Sequence, residues 1–377
     1  LFNALVSEAI SEAMSLPSLN LAASSPDEIR DAGSVLLKAI QRLDGAPEVE
    51  DAFSGRSFPA RLYDALLGID GAGTLLKIGV LQEIEIGKYR SRFAGKVAAG
   101  RLLFTDLLRK RFKREPLYVD PLWEAPAFAH LLLNEPVENG VDIGTGCGAL
   151  ALAMAHHCRT VYASDVNPRA LELARLNALV NHVDNIVFLE SDLFQAFDAG
   201  IKFDHVVFNA PVGDEFAPRH MLQAGEGILR RFFEDISSRL RPGAVVQANI
   251  CAKDFEGDAF LDRMNSWLGP QAATFSGVFI ELFRRQGGIR FLLHRLSGIP
   301  RIGRRALRCT TMRRGWLTLR RRSGGRCWIL PTNYHLWVHD APRNAPSTLV
   351  RTCLEAAEAE ASPPPGAEVI SLRKSTG

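Results

Sequence analysis

The sequence predicts a doubly wound α/β fold with a mostly parallel sheet, preceded by a helical segment. Three observations predict it. From about residue 116, short β-branched runs alternate with helical stretches, the rhythm of a parallel sheet covered on both faces. The run at 137–143 passes directly into a glycine-rich turn with a helix behind it. Four successive strand ends then carry a glycine cluster or a polar residue, at the edge where open α/β sheets bind ligands.

The elements follow in order. Residues 1–115 read mostly as helix. Ser25 caps a helix start with Pro26 in its first turn and Glu28 three residues after the cap. Val35, Leu36, Ile40 and Leu43 then recur at helical spacing, and 61–67 and 103–112 read the same way. This segment is expected to be a cap or substrate-recognition domain. Strands are expected at 137–143, 160–164, 185–189, 203–208 and 244–250, with helices at 149–156, after Asn167-Pro168, and at 227–240. Arg241-Pro242-Gly243 reads as a turn. Farther on, 275–283 and 315–319 read as strands, 289–296 as a short amphipathic helix and 348–361 as a helix, with ordered structure ending at the prolines of 362–366. The expected division is a cap at 1–115, a catalytic domain at 116–325 with a basic insertion near 284–314, and a C-terminal extension and tail at 326–377.

Composition narrows the class. A chain of 377 residues exceeds the usual single domain, and 47% hydrophobic with 23% charged residues is ordinary for a soluble globular protein. Apolar runs such as 148–155 are too short to cross a bilayer. Glu8 and Glu12 near the start, with no basic leader, argue against a secretory signal. The six cysteines are scattered without a C-x-x-C pair, which predicts reduced thiols and a cytoplasmic setting. The net charge of +3 conceals an asymmetry: fourteen arginines and no Lys, Asp or Glu lie between Arg284 and Arg326. Without them the balance is 31 basic against 42 acidic residues, or −11. Such a run, interleaved with Phe283, Phe291 and Trp316, fits a nucleic-acid surface or a solvated face.

The chemistry centres on Val141-Asp142-Ile143-Gly144-Thr145-Gly146-Cys147-Gly148. Glycine is required where a backbone turns with positive φ or where a ligand approaches main-chain atoms. The next strand ends at Asp165, where an acid can accept hydrogen bonds from ribose hydroxyls. The third ends near Asp192, which either faces an adenine amino group or caps a turn. The fourth ends at Asn209-Ala210-Pro211-Val212.

The stretches 142–150 and 163–171 resemble class I methyltransferases, and within them the branch that modifies nitrogen. That branch includes the release-factor glutamine and ribosomal RNA guanine methyltransferases. The resemblance covers roughly 116–250 and implies a seven-stranded sheet with S-adenosyl-L-methionine as cofactor. It implies that Asp142, Gly144, Thr145, Gly146, Gly148, Asp165, Val166, Asp192, Leu193 and Asn209 hold this cofactor. Asn209 and Pro211 are the implied catalytic residues, the Asn side chain and the next carbonyl accepting the acceptor's N–H groups. Where the branch has Asn or Asp, Pro, Pro and an aromatic residue, this chain keeps Asn209 and Pro211 and has Ala210 and Val212. Losing the aromatic surface weakens both standard planar acceptors.

Methyl transfer needs alignment more than covalent help, so no triad and no metal are expected. Asp214, Glu215 and His220 are candidate bases should the acceptor arrive protonated. His156-His157-Cys158 is expected to be structural, as is the pair His335 and His339. Cys147 reads as a small residue beside the cofactor and not as a nucleophile. Three functions fit: methylation of a nitrogen in a small molecule or protein side chain, RNA methylation through the arginine-rich segment, and a non-catalytic cofactor-binding module. The acceptor and the oligomeric state are not legible in the sequence.

Overall fold

The computed structural model describes residues 17–42, 47–98, 100–108, 119, 124–211, 219–286, 309–322, 325–331, 345–359, 362–363 and 367–371. In chain order they form α1 (Pro26–Arg42), α2 (Pro47–Ala52), β1 (Ser57–Pro59), α3 (Ala60–Lys77), β2 (Leu81–Glu85), β3 (Lys88–Ser91), β4 (Phe93–Ala98) and β5 (Arg101–Asp106). Next come α4 (Ala125–Ala129), β6 (Val137–Ile143), α5 (Ala149–Met154), β7 (Cys158–Asp165), α6 (Pro168–Val180), β8 (Ile186–Glu190) and β9 (Phe203–Asn209). The last are α7 (Arg219–Arg239), β10 (Leu240–Phe255), α8 (Phe260–Leu268), β11 (Phe275–Gln286), β12 (Cys309–Arg321), β13 (Arg326–Pro331), α9 (Ala345–Glu358) and β14 (Glu368–Ser371). The class is α/β with a large, mostly parallel sheet, as the sequence predicts.

The chain divides into two compact units that interleave along the sequence. The first comprises Leu1–Pro126, Gly144–His156 and Thr160–Ala196; the second comprises Ala127–Ile143, His157–Arg159 and Phe197–Gly377. The glycine turn thus belongs with the N-terminal segment, a division that cuts across the three consecutive blocks expected from sequence.

In the first unit, α1 opens with the predicted reciprocal cap: Glu28 N–H donates to Ser25 Oγ at 3.2 Å and Ser25 N–H to Glu28 Oε2 at 2.7 Å. Ile29, Leu36 and Ile40 on α1 join Phe53, Tyr63, Leu75, Phe93 and Phe104 in a core that also takes in Cys147, Leu173, Leu176 and Val180. The strands β1, β3 and β2 form a small antiparallel sheet, β4 and β5 a hairpin, and β7 and β8 a parallel pair. The N-terminal segment therefore carries strands beside the helices that its periodicity suggests. In particular, Arg101–Asp106 is strand where 103–112 reads as helix. The reason is tertiary. Gly100, at φ 75°, turns the hairpin, while Asn181 and Asn177 of α6 bond to the main chain of Leu102 and Phe104.

In the second unit, seven strands run in the order β14-β13-β11-β12-β10-β9-β6. β6, β9 and β10 are parallel, β12 lies antiparallel between β10 and β11, and β13 returns parallel to β11. Their inward residues, among them Val141, Val206, Phe208, Val246, Ala248, Val278 and Leu317, are buried on near-continuous apolar runs, as a sheet covered on both faces requires. The C-terminal end adds a strand beyond the prolines of 362–366: β14 pairs with β13, so order does not end there. The helix expected at 289–296 lies outside the described residues. Among the described residues, no helix is long and apolar enough to cross a membrane.

Among the described residues, several arginines of the run are bonded inside the second unit. Arg320 is 3% exposed and bonds Glu135 at 3.2 Å and Glu358 at 3.6 Å. Arg313 reaches Asp254 at 3.1 Å and Glu281 at 3.2 Å, and Arg321 donates to the carbonyls of Ser237 and Leu240. Arg322 pairs with Glu358. Arginines 290 to 308 lie outside the described residues.

Candidate functional site

Within the first unit, the chain turns through three residues with positive φ: Gly144 at 65°, Gly146 at 54° and Gly148 at 83°. A side chain is strained at each. Their surroundings differ. A Cβ on Gly148 would lie 3.0 Å from the Cβ of Ala174 on α6, whereas a Cβ on Gly146 would meet nothing within 4 Å. Gly148 is thus a packing glycine, and Gly146 leaves main chain bare to an incoming group. Thr145, buried in the turn, donates its N–H to the Ser164 carbonyl at 2.9 Å, and the Gly148 N–H returns to the Thr145 carbonyl at 2.9 Å.

Asp165, at the end of β7, is tied to this turn. Its Oδ2 accepts the Gly146 N–H at 2.9 Å and its Oδ1 accepts the Asn167 N–H at 2.9 Å. A carboxylate accepts hydrogen bonds, the role that ribose hydroxyls would require of it. Burial raises the Asp165 carboxyl above its usual range, against the pull of the Asn167, Gly146 and Val166 amides. Asn167 caps α6 by accepting the Arg169 N–H at 3.0 Å, with Pro168 at the first helical position. Val166 is 61% exposed. After β8, Ser191 donates its N–H to the Asp165 carbonyl at 3.0 Å and its Oγ to the Leu193 carbonyl at 2.8 Å. Leu193 itself takes a left-handed φ of 51°, an uncommon conformation for a branched residue, and Asp192 is half-buried beside it.

Two supports of this turn carry no motif. Asn177 on α6 is fully buried; its Nδ2 donates to the Cys147 carbonyl at 2.8 Å and to the Phe104 carbonyl at 3.0 Å, while its Oδ1 accepts the Phe104 N–H at 2.7 Å. Asn181 repeats the pattern on Leu102. Four residues along a helix advance about 6 Å and two along a strand about 6.6 Å, so the two amides match alternate residues of β5. Arg169, just after the Asp165 loop, forks onto both oxygens of the buried Asp106, with its Nη1 2.6 Å from Oδ2.

The second unit holds Asp142, Asn209 and Pro211. Asp142 is buried near the end of β6. Asn209 closes β9, in register with Asn249 of β10. Asn249 Nδ2 donates to Asn209 Oδ1 at 2.9 Å, and the Ala210 N–H donates to the Asn249 carbonyl at 3.2 Å. Pro211 follows, half-buried. Val212, Asp214 and Glu215 lie outside the described residues. His220 falls on α7. Asn249 was not singled out in the sequence; the available signal is a lone carboxamide in an otherwise apolar strand, level with the strand end that carries Asn209.

Elsewhere in this unit, His157, Cys158 and His205 bring their ligand atoms within 4.8 Å of one another. The ring nitrogens already serve a chain: His157 Nε2 lies 3.0 Å from His205 Nδ1, and His205 Nε2 3.0 Å from Gln247 Oε1, which also accepts the Leu133 N–H at 2.8 Å. Gln247 Nε2 donates to the Leu131 carbonyl and to Thr318 Oγ1. Burial, then His157, pushes the His205 imidazole down to about 3, so the ring is neutral. Burial, then Asp204, pushes the Cys158 thiol up to about 12. These groups form a satisfied internal network. Cys147, Cys158, Cys251, Cys327 and Cys353 form no disulfide.

Known proteins bear on these two sets of residues. The family model of the methyltransferase small domain matches residues 126–253. A protein of Methanocaldococcus jannaschii, provisionally named a protein N5-glutamine methyltransferase, is 32% identical over 148 residues, covering 36% of this chain and 74% of that relative. A release factor glutamine methyltransferase of Aliivibrio fischeri is 29% identical over 144 residues, covering 36% of this chain and 51%, about half, of the relative. Among solved structures, a tRNA m1G37 methyltransferase of M. jannaschii shares 19% identity at a TM-score of 0.37, over 62% of this chain and 57% of that one. The structural likeness is too low to carry an argument; the sequence match, reaching three quarters of its relative, is enough. The chain belongs to the class I S-adenosylmethionine-dependent methyltransferases.

Proposed function

We propose that this protein transfers a methyl group from S-adenosyl-L-methionine to a nitrogen of a protein side chain, the carboxamide of glutamine. The observation that carries the reading is Asn209 at the end of β9, its carboxamide oxygen held by Asn249 and followed by the Ala210 main chain. The relatives named for glutamine methylation point the same way.

The cofactor, when bound, supplies a sulfonium methyl that is already activated. The residues of this chain fit it: the bare main chain at Gly146 gives room for approach, and the Asp165 carboxylate offers acceptors for ribose hydroxyls. We assign Asp142, Gly144, Thr145, Gly148, Val166, Asp192, Leu193 and Asn209 to cofactor binding, Asp192 towards the adenine. On the acceptor side, Asn209 Oδ1 and the Ala210 carbonyl accept the two N–H groups of a primary amide, leaving its nitrogen lone pair for the methyl carbon. Held by these residues, the cofactor would supply its methyl to this nitrogen, and the displaced N–H proton would pass to solvent. Pro211 stiffens the chain after the carbonyl. Residues 1–115 are assigned to acceptor recognition, and the scattered thiols suit a cytoplasmic protein.

The test is methyl transfer from radiolabelled S-adenosyl-L-methionine to a purified bacterial release factor, with mass spectrometry of the product. N5-methylglutamine is expected. Label entering only RNA or a small amine would overturn the acceptor. No saturable cofactor binding by the folded protein would overturn the whole reading. Within the arginine-rich segment, Arg313, Arg320 and Arg321 are bound internally and are not offered to RNA.

A further inference from the structure

We propose that Asn249 is a positioning residue for the methyl acceptor: its carboxamide orients that of Asn209, and its main-chain carbonyl fixes Ala210. The inference rests on the reading of Asn209 given above and deepens it.

Asn249 is 1% exposed in β10, between the buried Ala248 and Ile250. A polar side chain in such a strand is costly unless hydrogen-bonded. Here it is bonded to the residue level with it on β9. The two ends of an asparagine carboxamide are nearly isosteric, so rotation about χ2 exchanges oxygen for nitrogen at almost no steric cost. For an acceptor that must donate N–H, only the oxygen is useful. The Asn249 Nδ2 donor, 2.9 Å from Asn209 Oδ1, favours the orientation in which Asn209 presents its oxygen. That oxygen has two lone pairs; Asn249 uses one and leaves one for an acceptor N–H.

The second contact depends on how this chain departs from the motif that it resembles. Position 210 is alanine, not proline, and so has an N–H; that N–H meets the Asn249 carbonyl. Proline would lock φ near −65° and could not donate. The chain has thus exchanged a covalent restraint on the residue carrying the acceptor-side carbonyl for a hydrogen-bonded one. One residue, Asn249, then holds both acceptor groups: the Asn209 side chain through its own side chain, and Ala210 through its main chain.

The test compares wild type with Asn249→Leu, Asn249→Asp and Asn249→Ser in methylation of a purified bacterial release factor. S-adenosylhomocysteine affinity is measured alongside, and circular dichroism establishes folding. Asn249→Leu, which removes the donor without adding charge, is expected to lower kcat at least about tenfold, with KM and cofactor affinity within roughly twofold of wild type. Asn249→Asp, which can only accept and so turns the Asn209 nitrogen inward, is expected to fall further. Asn249→Ser, which keeps a donor, is expected to lose less than either. A folded Asn249→Leu enzyme with wild-type kcat would overturn the proposal. A wild-type protein that binds cofactor but leaves release factor unmodified would instead overturn the acceptor assignment. The clamp is then judged by NMR of asparagine-labelled protein. Displaced Asn209 carboxamide signals in Asn249→Leu are expected, and unchanged signals would overturn the proposal independently of activity.

Discussion

Replacing Asn177 by leucine removes, at nearly constant volume, a carboxamide that satisfies three main-chain groups. The Phe104 N–H, the Phe104 carbonyl and the Cys147 carbonyl lose its bonds in a site where Asn177 and Phe104 are fully buried and Cys147 is 4% exposed. Each buried group left without a partner costs about 1–3 kcal/mol. Carbonyls have a second lone pair and the turn can relax, so the lower part of the range applies, about 3–5 kcal/mol in all. Against a domain stability of about 5–15 kcal/mol this is severe but measurable. Urea unfolding at neutral pH should show the unfolding free energy falling by that amount. Calorimetry of the folded fraction should show weaker S-adenosylhomocysteine binding, because Cys147 lies inside the glycine turn. Asn177→Asp should be worse at neutral pH, where an anion faces two carbonyl oxygens, and should recover as pH falls and the acid becomes a donor. An Asn177→Leu protein within about 0.5 kcal/mol of wild type would refute this account of the turn.

Three other outcomes are expected. Gly148→Ala should lower stability more than Gly146→Ala, since only the former sets a methyl 3.0 Å from Ala174; Gly146→Ala, costing about 1–2 kcal/mol of left-handed strain, should instead mainly weaken cofactor binding, as urea unfolding and calorimetry would separate. Because burial raises the Asp165 carboxyl, cofactor affinity should decline on acidification at a higher pH than the ordinary value of 3.8 would give; the ionised acid costs stability at neutral pH, a cost relieved as pH falls, and Asp165→Asn should remove this part of the affinity profile. His205 is depressed to about 3 from 6.5, so the unfolded chain binds the proton first and stability should drop as pH falls from about 6.5 towards 3; unfolding midpoints across that window should be flatter in His205→Gln.

The strands of the sheet were legible because both faces are covered, so each reads as an apolar run bounded by turns. The glycine turn was legible because its conformation restricts residue choice at three positions. Arg101–Asp106 was not, because Leu102, Leu103 and Phe104 satisfy either period, and what decides is the pair of amides donated by α6 some seventy residues later. β14 escaped notice because four residues after a run of prolines carry no periodic signal until β13 is there to pair. The arginine run was only partly legible for a related reason. Charge is visible in sequence but its partners are not, and Glu135, Asp254, Glu281 and Glu358 lie far from the arginines that they neutralise. Asn209 was readable from its motif; Asn249 needed the register of β9 against β10.

The core that α1, α2 and α3 share with α6 has a consequence for synthesis. Ile29, Phe53, Tyr63 and Phe104 leave the ribosome well before Leu173, Leu176 and Val180, which complete their packing. At roughly 5–20 residues per second, the seventy or so residues between β5 and the end of α6 impose a wait of about 4–15 s. During that interval the nascent N-terminal segment exposes both an apolar face and the β5 edge that Asn177 and Asn181 later cover. The hazard for this protein therefore falls before the glycine turn and its helix emerge, and it is set by the order of translation more than by final stability. Chaperone demand should rise with slow codons placed between residues 106 and 180 and be little affected by slow codons placed after them.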